Sequence, residues 1–380
     1  MNIYKTKLST AFTNDVYKIH MNNDRLWVDL LTLGACIQKV ALSNDMDPSA
    51  DGDDHREKIL NLSFADLHAY EACQEYAGMT IGPNAGRVSD TSIEIDRSPL
   101  ALSHNEGTYS LHGGYQNISK SNWHILEMTS SQDICSVTLE TFQADGVDGW
   151  PGNRHYQVRY TLSNDNCLAM DYHVTTDRDT YVNLTNHTYW NLTGDPHKAL
   201  SQRLCIDADQ VCVNGEDHLP LFLRYFYRDS EDYFDFRKGK EIGDICLMKD
   251  AFTENNTIST GNVTEMKHQL LISKGLNHGF SFASALENEG VFHSHLSNQY
   301  TLSTSDGDIS MQLSTDAPGV VVYSGGFIPS GLPLSDGQLS VPNCGIALEA
   351  QELPTVAPYH LTTPENPFHR SIRFQFRFSS

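Results

Sequence analysis

The clearest signal along the chain is period-two alternation of apolar and polar residues. Tyr156, Val158, Tyr160 and Leu162 share one face of an extended segment, and Leu168, Met170, Tyr172 and Val174 share one face of the next. Successive strand side chains point to opposite faces, so each run predicts a half-buried strand, and residues 163–166 between them predict a hairpin. Ile309, Met311 and Leu313 follow the turn Asp306-Gly307-Asp308, a second hairpin signal. Near the C-terminus Ile372, Phe374, Phe376 and Phe378 alternate with Arg373, Gln375 and Arg377. Helical patterns are few, and residues 64–76 are the best of them. Short strands at this density, separated by Gly, Asn and Asp turns, predict a large antiparallel all-β structure.

Composition narrows the function classes. An apolar fraction of 39% over 380 residues supports a large core. No apolar run approaches the ~20 residues of a membrane helix, and the first residues lack the basic-then-apolar layout of a leader, so a soluble cytoplasmic protein is expected. Lys and Arg number 26 against 48 Asp and Glu, a net charge of −22. That field repels nucleic acid and anionic membranes, disfavours phosphorylated substrates, and is indifferent to a neutral ligand. The eight cysteines are scattered without a C-x-x-C and read as free thiols in apolar positions. Residues 43–57, with Asp45, Asp47, Asp51, Asp53 and Asp54, read as a solvated acidic loop insertion without calcium-loop spacing.

Several segments carry candidate chemistry: Leu111-His112-Gly113-Gly114, Thr185-Asn186-His187-Thr188-Tyr189-Trp190-Asn191-Leu192, Tyr233-Phe234-Asp235-Phe236-Arg237 and Ala347-Leu348-Glu349-Ala350-Gln351. Read alone, Glu349 is either the polar face of an edge strand or, between Leu348 and Ala350, a buried carboxylate with a raised pKa. By the same reading His187 is a core histidine or an acid–base group, His112 a turn residue before two glycines, and Arg87 a turn-exit cation. In that order the segments resemble the signature stretches of the aldose 1-epimerase family. Ala85-Gly86-Arg87-Val88, the acidic Gly-Pro-Gly loop at 145–153, and Pro318-Gly319-Val320 through Tyr323 agree with it. The resemblance runs from about residue 25 to the end, and the Asn-His-Thr-Tyr stretch is its most specific part.

The resemblance implies a single mutarotase-like β-supersandwich domain over residues 1–380, interconverting the α and β anomers of a free hexose of the galactose or glucose type. It implies Glu349 as general base on the anomeric hydroxyl, His187 as the acid that protonates the ring oxygen, and His112 as a second histidine stabilising charge there. Arg87, Gly86, Asn277 and Trp190 are the candidate substrate contacts, with Tyr189, Trp150 and Tyr323 as further candidates for stacking on a sugar's C–H face. Opening the ring takes one base and one acid near working pH, so no cofactor and no metal is expected. His293 and His295 have a metal-ligand spacing but no third ligand nearby. Asp235 and Arg237 are expected to pair on one face of a strand beneath the site. Gly86, Asn277 and Ala350 depart from the family's asparagine, aspartate and threonine, which leaves the hydroxyl-reading shell altered and the preferred hexose open. The expected partner is a small sugar, and the expected assembly a monomer or homodimer. Rival readings are a non-catalytic sugar-binding protein, a mutarotase for another sugar, phosphorylated ones included, and a glycosidase, for which no second carboxylate is evident.

Overall fold

In the computed structural model the described residues are 1–8, 15–43, 57–89, 93–226, 232–246, 261–281, 298–353 and 361–379. The core of the acidic insertion (44–56) and His293 and His295 lie outside them. Two antiparallel sheets carry the architecture. The larger has nine strands in the order His124–Ser130, Ile134–Gln143, Arg154–Ser163, Cys167–Thr176, Phe368–Phe378, Ile309–Thr315, Asn298–Ser303, Arg203–Ile206 and Lys240–Glu241. The smaller has six, in the order Tyr189–Trp190, Ile346–Gln351, Gly319–Tyr323, Asn277–Ser281, Gln210–Asn214 and Pro220–Tyr225. A four-stranded antiparallel sheet formed within residues 2–42 joins the same core.

The alternation read from sequence is the packing. Tyr156, Val158, Tyr160, Leu162, Leu168, Met170, Tyr172 and Val174 are all buried in one core cluster, and Leu162 pairs with Leu168 across the expected hairpin. Ile309, Met311, Leu313, Ile372, Phe374 and Phe376 enter the same cluster. All eight cysteines are free, and six are fully buried. No helix among the described residues is long and apolar enough to cross a membrane.

One helical expectation needs revision, and one helix carries no clear sequence signal. The segment 64–76 is helical only over Leu67–Ala72, started by Asp66, whose carboxylate accepts the Ala69 N–H; the chain then leaves the helix and reaches a left-handed turn at Tyr76. A longer helix, Gly261–Ile272, went unread. Its buried stripe is Met266, Gln269 and Leu270, and the polar Gln269, which bonds Asn214 through both N–H and carbonyl, hides the apolar periodicity.

Alternation also decides the role of Trp190. In the six-stranded sheet Trp190 pairs with Ile346 and Tyr189 with Ala347. Ile346, Leu348 and Ala350 face the inter-sheet core, so Trp190 points there too. Its ring packs on Phe374 and Phe376 of the other sheet, at 4.7 and 5.5 Å between centroids, and its exposure is 0%. Trp190 is therefore a plug between sheets and not a sugar contact. Ala350 is buried on the same face, so its departure from threonine does not touch the ligand shell.

Truncating this plug should be costly: Trp190→Ala should lower the free energy of unfolding by ~3–5 kcal/mol, the usual range for deleting a buried aromatic. Trp190→Phe should cost much less, because among the described residues the indole Nε1 has no hydrogen-bond partner to lose. Equilibrium denaturation of the three proteins checks this; an unchanged midpoint for Trp190→Ala would remove Trp190 from the core.

Candidate active site

The second face of the six-stranded sheet builds a cleft. On the strand Ile346–Gln351, residues 349 and 351 face away from the inter-sheet core; on Gly319–Tyr323, residues 321 and 323 do so. Loops carrying Glu75-Tyr76, Gly86-Arg87, His112 and His218 complete a cavity of about 250 Å³. That is below the ~300–1,000 Å³ of drug-sized sites and suits a small polar ligand.

Glu349 sits mid-strand opposite Val321, with 4% exposure. His187 follows the short pairing of Thr185 and Asn186 with Ile81 and Thr80. Its own backbone is fixed by His187 N–H donating to Met79 and by Gly78 N–H donating to the His187 carbonyl. Asn186 braces the turn, its amide donating to the Gly78 carbonyl and its Oδ1 accepting from both the N–H and hydroxyl of Thr188. The Asn-His-Thr stretch is thus a device for presenting one imidazole. That ring lies among Tyr76, Tyr189, Tyr323 and His112, with its Nε2 3.4 Å from Glu349 Oε1 and its Nδ1 buried without a hydrogen-bond partner among the described residues.

Burial controls both groups. Loss of solvation pushes the Glu349 carboxyl up to about 8, with Arg87 opposing and Glu75 adding to the rise. It pushes the His187 imidazole down to about 4. His112, also buried, is held well below the usual histidine range by burial and by His187 and Arg87. At neutral pH the Glu349–His187 pair therefore holds a single proton.

Loop stitching places the remaining groups. Arg87 and Val88 pair with Leu111 and Ser110. His112 N–H donates to the Gly86 carbonyl, and Gly86 N–H donates to His112 Nδ1 at 3.2 Å. A backbone amide can only donate, so His112 Nδ1 is the acceptor and the neutral ring carries its proton on Nε2. Gly86 has φ +78°, a conformation that glycine and asparagine tolerate, and a Cβ there would meet only the Gln351 amide nitrogen at 3.6 Å. At Gly113 (φ +92°) a Cβ would lie 2.4 Å from Pro83 Cδ, so the backbone needs glycine. Trp150 is fully buried and donates its indole N–H to the Gly113 carbonyl. It props the His112 loop and does not stack on a ligand.

Arg87 donates Nε and Nη2 to Glu106 at 2.5 and 2.9 Å; among the described residues its Nη1 has no hydrogen bond. Asn277 lines the cleft as cross-strand partner of Tyr323. Its backbone carbonyl accepts from Asn214, and among the described residues its side-chain amide has no bond. Of the aromatic candidates only Tyr323 lines the cleft; Tyr189 is buried beneath it, its hydroxyl donating to the Glu75 carbonyl. Asp235 and Arg237 do pair, at 2.7 Å, but in a turn and away from the cleft lining.

Several cleft residues escaped the sequence reading: Glu75, Tyr76, Glu106, His218, Phe327 and Gln351. Gln351 was legible by parity, two residues after Glu349 on the same face. The others sit on loops whose course alternation does not encode. Glu75 is the second carboxylate that the sequence did not reveal. His112, His187 and Glu349 also offer metal-ligand atoms within 4.8 Å of one another. A tetrahedral zinc site with bonds of ~2.0–2.1 Å needs ligand atoms about 3.3 Å apart, so holding an ion would require the group to contract.

The comparisons with known proteins show the family and the fold. The family model described as aldose 1-epimerase matches residues 17–367. A relative from Haemophilus influenzae named aldose 1-epimerase is 30% identical over 315 residues, covering 82% of this chain and 79% of its own. The human protein named galactose mutarotase is 25% identical over 368 residues, covering 95% of this chain and 94% of its own. A crystal structure titled galactose 1-epimerase from Lactobacillus acidophilus superposes with a TM-score of 0.75 at 24% identity, covering 100% of this chain and 99% of that one. The chain belongs to the aldose 1-epimerase family.

Proposed function

We propose that this protein is an aldose 1-epimerase, an isomerase that interconverts the α and β anomers of a free hexose of the galactose or glucose type. The observation that carries this reading is the contact of His187 Nε2 with Glu349 Oε1 at 3.4 Å in a buried cleft. The anomeric hydroxyl and the ring oxygen hang on one carbon, so adjacent acid and base atoms can serve both. In the productive arrangement the shared proton is on His187 and Glu349 is ionised. Glu349 takes the proton of the anomeric hydroxyl as His187 gives its proton to the ring oxygen. The bond from the anomeric carbon to the ring oxygen breaks and the carbonyl forms. After rotation of the aldehyde the same steps reverse on its other face, and the pair regains its starting protonation. His112 donates Nε2–H to the oxygen that gains charge, while the free Nη1 of Arg87, Gly86, Asn277 and Gln351 face the sugar hydroxyls.

A protein that only binds sugar gains nothing from a desolvated acid–base pair, which costs stability. Glu75 in the cleft wall and the chain's net charge of −22 favour a neutral sugar over a phosphorylated one. Every residue in this scheme comes from one chain, so a monomer or a homodimer suffices. The single-domain reading is supported by one core cluster that runs through both large sheets, and a cytoplasmic location belongs to the same proposal. Polarimetry of freshly dissolved α-galactose and α-glucose tests the activity: the protein should speed the approach to equilibrium, and no acceleration of either sugar would contradict it.

Removal of the base should be severe. Glu349→Gln should keep the fold and lower kcat ~10²–10⁴-fold, because an amide cannot take the proton. His187→Asn should cost more than His112→Asn, which removes a charge-stabilising donor and should still cost ~10²-fold. Equal small losses in both histidine variants would undo this division of labour, and activity restored by zinc after EDTA treatment would require a metal.

The pH profile follows from the single shared proton. Glu349 is raised, so the pair keeps its proton as pH rises until about 8 and then loses it, leaving no acid. His187 is depressed, so only below about 4 does the pair gain a second proton and lose its base. kcat/KM should be flat between these limits and fall on both sides. A profile that falls steadily through pH 6–7 would contradict the assignment.

A further inference from the structure

Glu75 is a carboxylate in the cleft wall that the proton-transfer scheme does not use. It stands in the turn after the helix Leu67–Ala72, just before the left-handed Tyr76. The Tyr323 hydroxyl accepts the Phe327 N–H at 2.9 Å, so its single proton must go to Glu75 Oε2, 3.0 Å away. This bond holds one carboxylate oxygen. Among the described residues Oε1 has no hydrogen bond, and the side chain lines the cavity that contains Glu349, His187 and Arg87.

The other polar groups there leave a chemical gap. Glu106 is engaged by two Arg87 nitrogens, and Glu349 is reserved for the anomeric centre. Arg87 donates only, His112 presents an N–H, and Asn277 and Gln351 offer neutral amides. A hexose presents mainly hydroxyl donors, and among the described residues that line the cleft no charged acceptor other than Glu75 remains for them. We propose that Glu75 is the charged hydroxyl reader of this cleft, its free carboxylate oxygen accepting from a hydroxyl of the bound hexose away from the anomeric carbon. The position is built for this: Tyr323 fixes the carboxylate by one oxygen, and Tyr323 is also the cross-strand partner of Asn277. Reader and amide thus flank one aromatic residue. Burial, the largest influence, raises the Glu75 carboxyl above its ordinary value, the Tyr323 hydroxyl and Arg87 oppose that rise, and Glu106 adds to it. Glu75 supplies what the neutral Asn277 cannot, and substrate preference is set from a loop of low sequence regularity, not from the signature motifs.

This inference rests on the anomerase reading, and the test separates the two. Initial rates of anomer interconversion are measured for wild type and Glu75→Gln on galactose, glucose and their 2-, 3-, 4- and 6-deoxy derivatives. Glutamine keeps an oxygen to accept the Tyr323 proton, so the wall stays in place. Expected is a KM about tenfold higher for the preferred hexose with kcat changed less than about threefold, the loss of one hydrogen bond to a charged group. One deoxy sugar should be poor for wild type yet suffer no further loss with Glu75→Gln, which identifies the hydroxyl that is read. An unchanged KM, a collapse of kcat like that of Glu349→Gln, or losses that simply add for every deoxy sugar would overturn the proposal. Should Glu75→Gln not fold, Glu75→Asp, which keeps the charge on a shorter arm, must weaken the same hydroxyl contact. A wild-type protein that accelerates no sugar would contradict the anomerase reading itself; an active wild type indifferent to Glu75→Gln would contradict only this inference.

Discussion

An acid and a base held in contact away from water are the constraint on which the rest of this structure turns. Each of Glu349 and His187 in its charged form would be costly to bury. Burial answers by moving the two in opposite directions, the carboxyl up to about 8 and the imidazole down to about 4. The resting pair is then neutral and shares one proton over a 3.4 Å contact. Neutralisation spares the pair the full cost of buried charge, and the proton has only to pass from Glu349 to His187 across that contact for ring opening. A pair of ordinary pKa values would have no proton to share at neutral pH.

The fold is arranged to keep that pair dry and in register. One face of the six-stranded sheet packs Ile346, Leu348, Ala350 and Trp190 into the inter-sheet core, which leaves Glu349 and Gln351 on the other. Tyr189 fills the space under His187, and Asn186 and Thr188 lock the backbone around it. Asp148 and Trp150 hold the loop that bears His112, the carboxylate accepting the Tyr115 and Gln116 N–H groups and the indole bonding Gly113. The acidic Gly-Pro-Gly segment thus acts at a distance from any ligand, by fixing a histidine tautomer through a loop.

Much of the frame was legible because a strand with one buried face must alternate. The hairpin at Leu162 and Leu168 and the strand Phe368–Phe378, which buries Phe374 and Phe376, follow from that rule alone. The same rule separates Trp190 from Tyr189: neighbours in a strand cannot both reach one cleft, and pairing with Ile346 sends Trp190 inward. What stayed hidden depends on loops and on polar groups with buried duties. Gln269 interrupts the apolar stripe of its helix, and Trp150 looks like a ligand platform until its N–H partner is known. Glu75 has no motif around it, and only the Tyr323 hydroxyl marks it as part of the wall. The proposed acid and base stand in the family's signature stretches, whereas Glu75, the proposed hydroxyl reader, does not.

The central claim is that the cleft stores one proton between Glu349 and His187 across the neutral range. It is tested most directly by NMR titration of the ligand-free protein, with labels on the Glu349 carboxyl and the His187 ring, Glu349→Gln and His187→Asn serving to assign the signals. The account predicts an imidazole uncharged from about pH 5 upward and a carboxyl signal that titrates near 8. A carboxyl that titrates near the ordinary ~4.3 beside a neutral imidazole would contradict it, because the pair would then hold no proton at neutral pH.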